Sequence, residues 1–207
     1  MAEPGRTLYN PVNGDRVTFL KTAEETGGEY LLLEIELAPA GSVPLHRHLS
    51  FIETLEAGDG ELNVHIGERE LVLQPGQRAV VPPNTAHRYS GRPPRRLRFV
   101  VEERPAGRIE EALRILYGLA ADGRVTGRGL PRSVLEMAWV IRLGDGYLAG
   151  LPVPVQIAVF SPLAALARLC GVDRRLQRRY LDPQTAGPDQ PPWGFSKDAD
   201  DYDCLGV

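Results

Sequence analysis

Between about Thr7 and Glu103, apolar and polar residues alternate in short runs. Residues 29–37 (EYLLLEIEL) put Leu31, Leu33, Ile35 and Leu37 on one side and Glu34 and Glu36 on the other. A period of two is the signature of a strand with one buried face. Further strands are predicted over 50–56, 60–66, 70–73, 78–81 and 97–101. Gly58-Asp59-Gly60, Gly67-Glu68 and Pro75-Gly76 supply turns between them, since glycine tolerates positive φ and proline presets a turn dihedral. Many short strands closed by tight turns predict a sandwich or barrel.

Around residues 104–107 the pattern changes. Residues 108–121 (RIEEALRILYGLAA) space Ile109, Leu113, Leu116 and Ala120 as one helix face. A second helix is predicted over 133–143 and a third over 162–169. A short fourth spans 173–181, with Asp173 as its N-cap. The expected organisation is a β-barrel over 1–105, a helical extension over 106–181 and an extended tail over 182–207. No internal repeat is evident.

Composition narrows the class. The 207 residues are 43% hydrophobic and 25% charged, with a formal net charge of -3, as in an ordinary globular protein. That charge gives no case for a nucleic-acid partner, and no helix-turn-helix pattern precedes the strands. The two cysteines, Cys170 and Cys204, are far apart, and the N-terminus lacks a secretory pattern. A cytoplasmic location is therefore expected. Residues 147–167 (YLAGLPVPVQIAVFSPLAALA) carry no charge and are followed by Arg168, Arg174, Arg175, Arg178 and Arg179. Pro152, Pro154 and Pro162 interrupt a lone lipid-exposed helix. The segment is read as packing on the barrel or on a partner subunit, with membrane association as the alternative.

The candidate chemistry lies in two segments. In residues 41–60 (GSVPLHRHLSFIETLEAGDG), His46 and His48 share one face of a strand. Glu53 joins them only if a bend resets the phase, and Ser50 is a plausible place for it. In residues 76–87 (GQRAVVPPNTAH), Pro82-Pro83-Asn84 forms a turn that brings His87 in from a neighbouring strand. Imidazoles with a carboxylate suit one divalent Fe, Mn, Ni, Cu or Zn ion better than Ca or Mg.

These segments resemble the paired motifs of the cupin superfamily. His46, His48, Glu53 and Gly60 fit the first motif, although Ala40 takes the place of its leading glycine and Gly41 lies one residue nearer. Gly76, Pro82 and His87 fit the second, in which Asn84 replaces a glycine and Gly91 an asparagine. Asparagine also tolerates the left-handed backbone. The resemblance covers about half the chain. It implies a jelly-roll barrel in which His46, His48, Glu53 and His87 hold one metal ion. The alternative is a barrel that keeps these residues as polar lining without metal.

Arg88 and Tyr89 follow His87 and are candidate substrate contacts, with core packing as the other reading of Tyr89. Phe51 and Phe99 read as core, His65 as surface, and Glu34, Glu36 and Glu56 as solvated faces. Arg88, Arg92, Arg95, Arg96 and Arg98 form a basic stretch. Three functions follow: a metal-dependent enzyme on a small organic molecule, of oxygenase or isomerase type; a non-enzymatic ligand-binding or sensing module; and a membrane-surface protein. A homodimer is expected from the resemblance and the apolar helices.

Overall fold

A computed structural model describes residues 6–91 and 94–182. The strands are β1 (Thr7–Tyr9), β2 (Arg16–Lys21), β3 (Leu31–Leu37), β4 (His46–Arg47), β5 (Ile52–Ala57), β6 (Leu62–Ile66), β7 (Arg69–Leu73), β8 (Arg78–Val81), β9 (His87–Ser90) and β10 (Leu97–Arg104). Helices α1 (Ile109–Ala121) and α2 (Val134–Gly144) follow. A two-residue strand, β11 (Tyr147–Leu148), precedes α3 (Val153–Leu169) and α4 (Val172–Tyr180).

The strands form two sheets, ordered β1-β2-β3-β10-β5-β8 and β11-β4-β9-β6-β7. The sheets remain separate hydrogen-bonded units, so the expected barrel is an open two-sheet jelly roll rather than a closed cylinder. They share one core, in which Leu33, Leu55 and Phe99 of the first sheet meet Leu62, Val64 and Tyr89 of the second. The alternation read from residues 31–37 is what buries Leu31, Leu33, Ile35 and Leu37 there.

The chain passes from one sheet to the other at two places that matter for the site. Leu49 and Ser50 bend between β4 and β5, and residues 82–86 turn between β8 and β9. Asn84 sits in that turn at φ 60, a left-handed conformation open to asparagine.

The helices build a second core around Ile115, Leu119, Ala138, Trp139, Ala164, Ala167 and Leu176. Glu136 of α2 is buried there, and both Arg124 and Arg175 bond to its Oε1. Ser133 caps α2, its side chain accepting from the Glu136 amide. The third helix begins at Val153, not at 162. Pro154 falls in its first turn, where a missing N–H costs nothing, and Pro162 is accommodated within it. The cap of α4 is Gly171 at φ 69, and Asp173 lies buried in the first turn instead of capping it. Beyond Asp182, the expected tail lies outside the described residues.

Tyr180 of α4 rests on Gly118 of α1, so closely that a Cβ there would lie 2.3 Å from the ring. In an open helix, Gly→Ala gains roughly 0.5–1 kcal/mol. Here Gly118→Ala is expected to cost about 1–3 kcal/mol by overpacking. A lowered urea midpoint would show it.

Candidate metal centre

His46 and His87 are directly opposite each other on β4 and β9, and His48 lies just past the end of β4. Glu53 comes from β5 in the facing sheet, between Val81 of β8 and Glu103 of β10. The bend at Leu49–Ser50 turns the odd spacing between His48 and Glu53 into convergence, by moving the chain from one sheet to the other. One ligand atom from each of the four residues lies within 4.8 Å of all the others. Glu53 and His87 are buried, whereas His46 and His48 keep part of their surface in solvent.

All three rings have Nδ1 at a backbone carbonyl: His46 at Pro44 (2.7 Å), His48 at Asp145 (3.1 Å) and His87 at Thr85 (3.0 Å). A carbonyl oxygen can only accept, so each Nδ1 carries the hydrogen. Each neutral ring then has its lone pair on Nε2. Nε2 of His87 is 3.3 Å from Oε1 of Glu53, and Nε2 of His48 is 3.8 Å from Oε2. Both Nε2 of His87 and Oε1 of Glu53 are buried without a hydrogen-bond partner. Such orphaned atoms are costly unless a proton or a cation lies between them. The donor set of three imidazoles and one carboxylate therefore fits a divalent transition metal.

The electrostatics agree. Burial, reinforced by the charges of His87 and His48, pushes His46 down to about 4. Burial likewise lowers His48, against the pull of Glu53. Burial alone would raise Glu53, but neighbouring His87, with His48 and His46, brings it below the usual carboxylate value. His87 shows the reverse balance: burial would lower it, and Glu53 raises it. His46 and His48 are thus favoured as neutral imidazoles and Glu53 as the carboxylate, while His87 is the ring that favours a second proton, which a metal would displace.

Two further residues belong to the centre. Asp145, at the left-handed end of α2, reaches into the bend with Oδ2. It accepts from the amides of Leu49 and Ser50 and from the Ser50 hydroxyl, each at 2.7 Å. Its own carbonyl fixes His48, and β11 follows immediately, pairing Leu148 with His46. No local sequence signal could tie Asp145 to a loop almost a hundred residues away. Glu103, by contrast, shares strand parity with Phe99 and Val101, which point inward. It is buried opposite Glu53 with Oε2 unpartnered. Burial first, and the charge of Glu53 second, raise its pKa well above the ordinary value, so it is held as the neutral acid.

Tyr89 points inward and packs edge-on against Phe99, with ring centroids 5.0 Å apart. It stands in the core beneath the centre, within the field of Glu53 and Glu103. Arg88 occupies the opposite face of β9, exposed and 3.6 Å from Glu70. The fold does not bring it to the centre. His65 is outside too, 3.5 Å from Glu70. Phe51 is core and stacks on His48. Glu36 and Glu56 lie on outer faces, paired with Arg16, Arg96 and Arg78.

Residues 33–101 match the family model of the cupin domain. The chain carries a cupin domain. The match includes all four converging residues and ends inside β10. No curated protein matches the chain. Among solved structures, it is similar to a predicted oxalate decarboxylase from Thermotoga maritima (17% identical, TM-score 0.44, covering 51% of this chain and 98% of that one). It is also similar to an RmlC-like cupin from Shewanella frigidimarina (19%, TM-score 0.43, 49% and 86%). A third is a sugar phosphate isomerase from a cupin superfamily of Silicibacter pomeroyi (22%, TM-score 0.40, 50% and 67%).

The buried acid of this cupin yields a signed prediction. Because Glu103 holds its proton more tightly folded than unfolded, its stabilising contribution is complete below pH ~4.5. It is lost as pH rises toward the raised folded value. Glu103→Gln removes that loss. With chelator present, its melting temperature relative to wild type should rise between pH 5 and pH 8. A constant difference would mean that Glu103 is not a buried neutral acid.

Proposed function

We propose that this cupin binds one divalent transition metal ion through His46, His48, Glu53 and His87 and acts there on a small organic molecule. The supporting observation is the set of three Nδ1–carbonyl hydrogen bonds, which leaves the three Nε2 atoms for a ligand within a cluster that Glu53 completes. A bound metal would supply a Lewis acid and a template for substrate oxygens or dioxygen, which suits oxygenase- or isomerase-type chemistry. The protein's own residues do the rest. Glu53 and His87 close the inner side, while the packed core of Tyr89, Phe99 and Leu55 excludes water behind them. Substrate approaches past the partly exposed His46 and His48. Glu103 holds a proton in the layer behind Glu53.

A second reading has its own observation. Asp145 belongs to the helical extension, yet it fixes both the Leu49–Ser50 bend and His48. Occupancy of the centre is thereby coupled to the position of α2, as a ligand-sensing module would require. Turnover separates the two readings, since a sensor shows ligand-dependent stability without it.

The test is elemental mass spectrometry on protein purified without an affinity metal. Near-stoichiometric Fe, Mn, Ni, Cu or Zn is expected, lost in Glu53→Ala and in His87→Ala. Wild-type protein that contains no metal and cannot be loaded would overturn the proposal.

Two finer outcomes follow. Asp145→Ala should weaken the metal by roughly 10–100-fold, the usual cost of losing an outer support, with the fold intact by circular dichroism. Binding must also displace the proton shared by His87 and Glu53. Affinity should therefore climb as pH rises above the ordinary histidine value and level off only once the raised value of His87 is passed, as a competition titration against pH would record.

A further inference from the structure

The outward half of α3 has almost no charge. At about 100° per residue, Pro154, Val155, Ala158, Val159, Pro162, Ala165, Leu166 and Leu169 fill one broad face. The polar residues on its border are Ser161 and Arg168. These side chains are exposed, Val155 at 52% and Leu169 at 82%. Exposed Leu148 and Leu151, tied to α3 by hydrogen bonds to buried Gln156, extend the face toward β11.

Along one edge of this face runs an open cleft of ≈ 1140 Å³, with Arg108, Arg142, Arg168 and Arg174 in its lining. Arg108 is engaged by Glu111. Among the described residues, no carboxylate pairs with Arg142, Arg168 or Arg174, and the one acid in the lining is Asp173. Trp139, also in the lining, is buried with its indole N–H unpartnered. A face that is apolar along its middle and arginine-rich along one edge combines the two features of an interfacial helix.

We infer that α3 and its arginine cleft form a docking surface for an anionic phospholipid membrane, with α3 lying in the interface plane. Crossing the bilayer is a different matter. No single described helix is long and apolar enough to span. The α3–α4 pair that passes by length and composition is bent by 76°, and α3 is held to the body through Gln156, Ala164 and Ala167. The apolar side chains would enter the acyl boundary while the arginines meet lipid phosphates. A second copy of the chain fits less well. Like would meet like across a two-fold contact, and the one acid in the cleft lining, Asp173, is buried and does not face a partner's arginines.

Vesicle co-sedimentation of the full chain tests the inference. Binding to vesicles of phosphatidylcholine with about 30% phosphatidylglycerol should exceed binding to phosphatidylcholine alone by about tenfold, and it should fall as salt rises. Val155→Asp with Leu169→Asp, at exposed positions outside the packed face, should abolish both while metal content and circular dichroism stay unchanged. Arg142→Gln with Arg174→Gln should remove the phosphatidylglycerol preference and leave the weaker binding. A chain that stays in the supernatant with both vesicles overturns the inference. If sedimentation velocity then shows a dimer that the Asp pair splits, the face belongs to a second copy.

Discussion

A single carboxylate oxygen, Oδ2 of Asp145, accepts from the amides of Leu49 and Ser50 and from the Ser50 hydroxyl. Those amides sit where the chain leaves the five-stranded sheet for the six-stranded one, so neither sheet can pair them. Backbone donors need partners, and hydrogen bonds to a charged acceptor are worth about 1.5–3 kcal/mol when shielded and less at this partly exposed bend. With the bend fixed, His48 and Glu53 face one another from different sheets. The Asn84 amide, bonded to the His48 carbonyl at 2.6 Å, ties the second crossing to the first. Ligand convergence is thus a property of two sheet crossings held by a residue from the helical extension.

Within that frame the centre is an assembly of acceptors. Three imidazoles whose Nδ1 hydrogens are already committed, and one carboxylate, point unpaired atoms at the same space. Burial favours neutral His46 and His48, while His87 and Glu53 stabilise each other's charged forms, so His87 is the one ring from which a metal would have to displace a proton. A second carboxyl, Glu103, can share the strand register with Glu53 only because it is neutral. Two ionised carboxylates side by side in the core would repel strongly. The charge of the centre is thereby limited to one carboxylate.

Much of this was legible in the sequence, and the gaps have physical reasons. The alternation in residues 31–37 and the His-x-His pair both rest on a period of two, which needs no tertiary information. The bend near Ser50 was forced by the odd step from His48 to Glu53. Parity also carried the correct facing of residues 87–89: with His87 inward, Tyr89 must be inward and Arg88 outward. Of the two readings of Tyr89, parity selects core packing once residues 87–90 are a strand. The α3 helix starts nine residues before the predicted 162, at Val153, because a first-turn proline gives up no helical hydrogen bond. Asp145 was invisible, because its partners are set by the docking of α2 on the bend.

Arginine-rich stretches show how far composition can mislead when pairing is unknown. Residues 88–98 and 168–179 look equally basic in sequence. In the first, Arg88, Arg96 and Arg98 lie beside Glu70, Glu36 and Asp59, so much of that positive potential is spent within the sheet surface. In the second, Arg175 and Arg179 are engaged by Glu136 and Asp122 and serve the packing of α4 on α1 and α2. Among the described residues no carboxylate engages Arg168 or Arg174, and with Arg142 they gather beside the uncharged face of α3. Cations that hold a fold together are distributed where its acids are. A group whose one neighbouring acid, Asp173, is buried and pairs with none of them, and which borders an apolar face, has its complement outside the described fold, which places the unmet electrostatics on the helical extension, away from the metal centre.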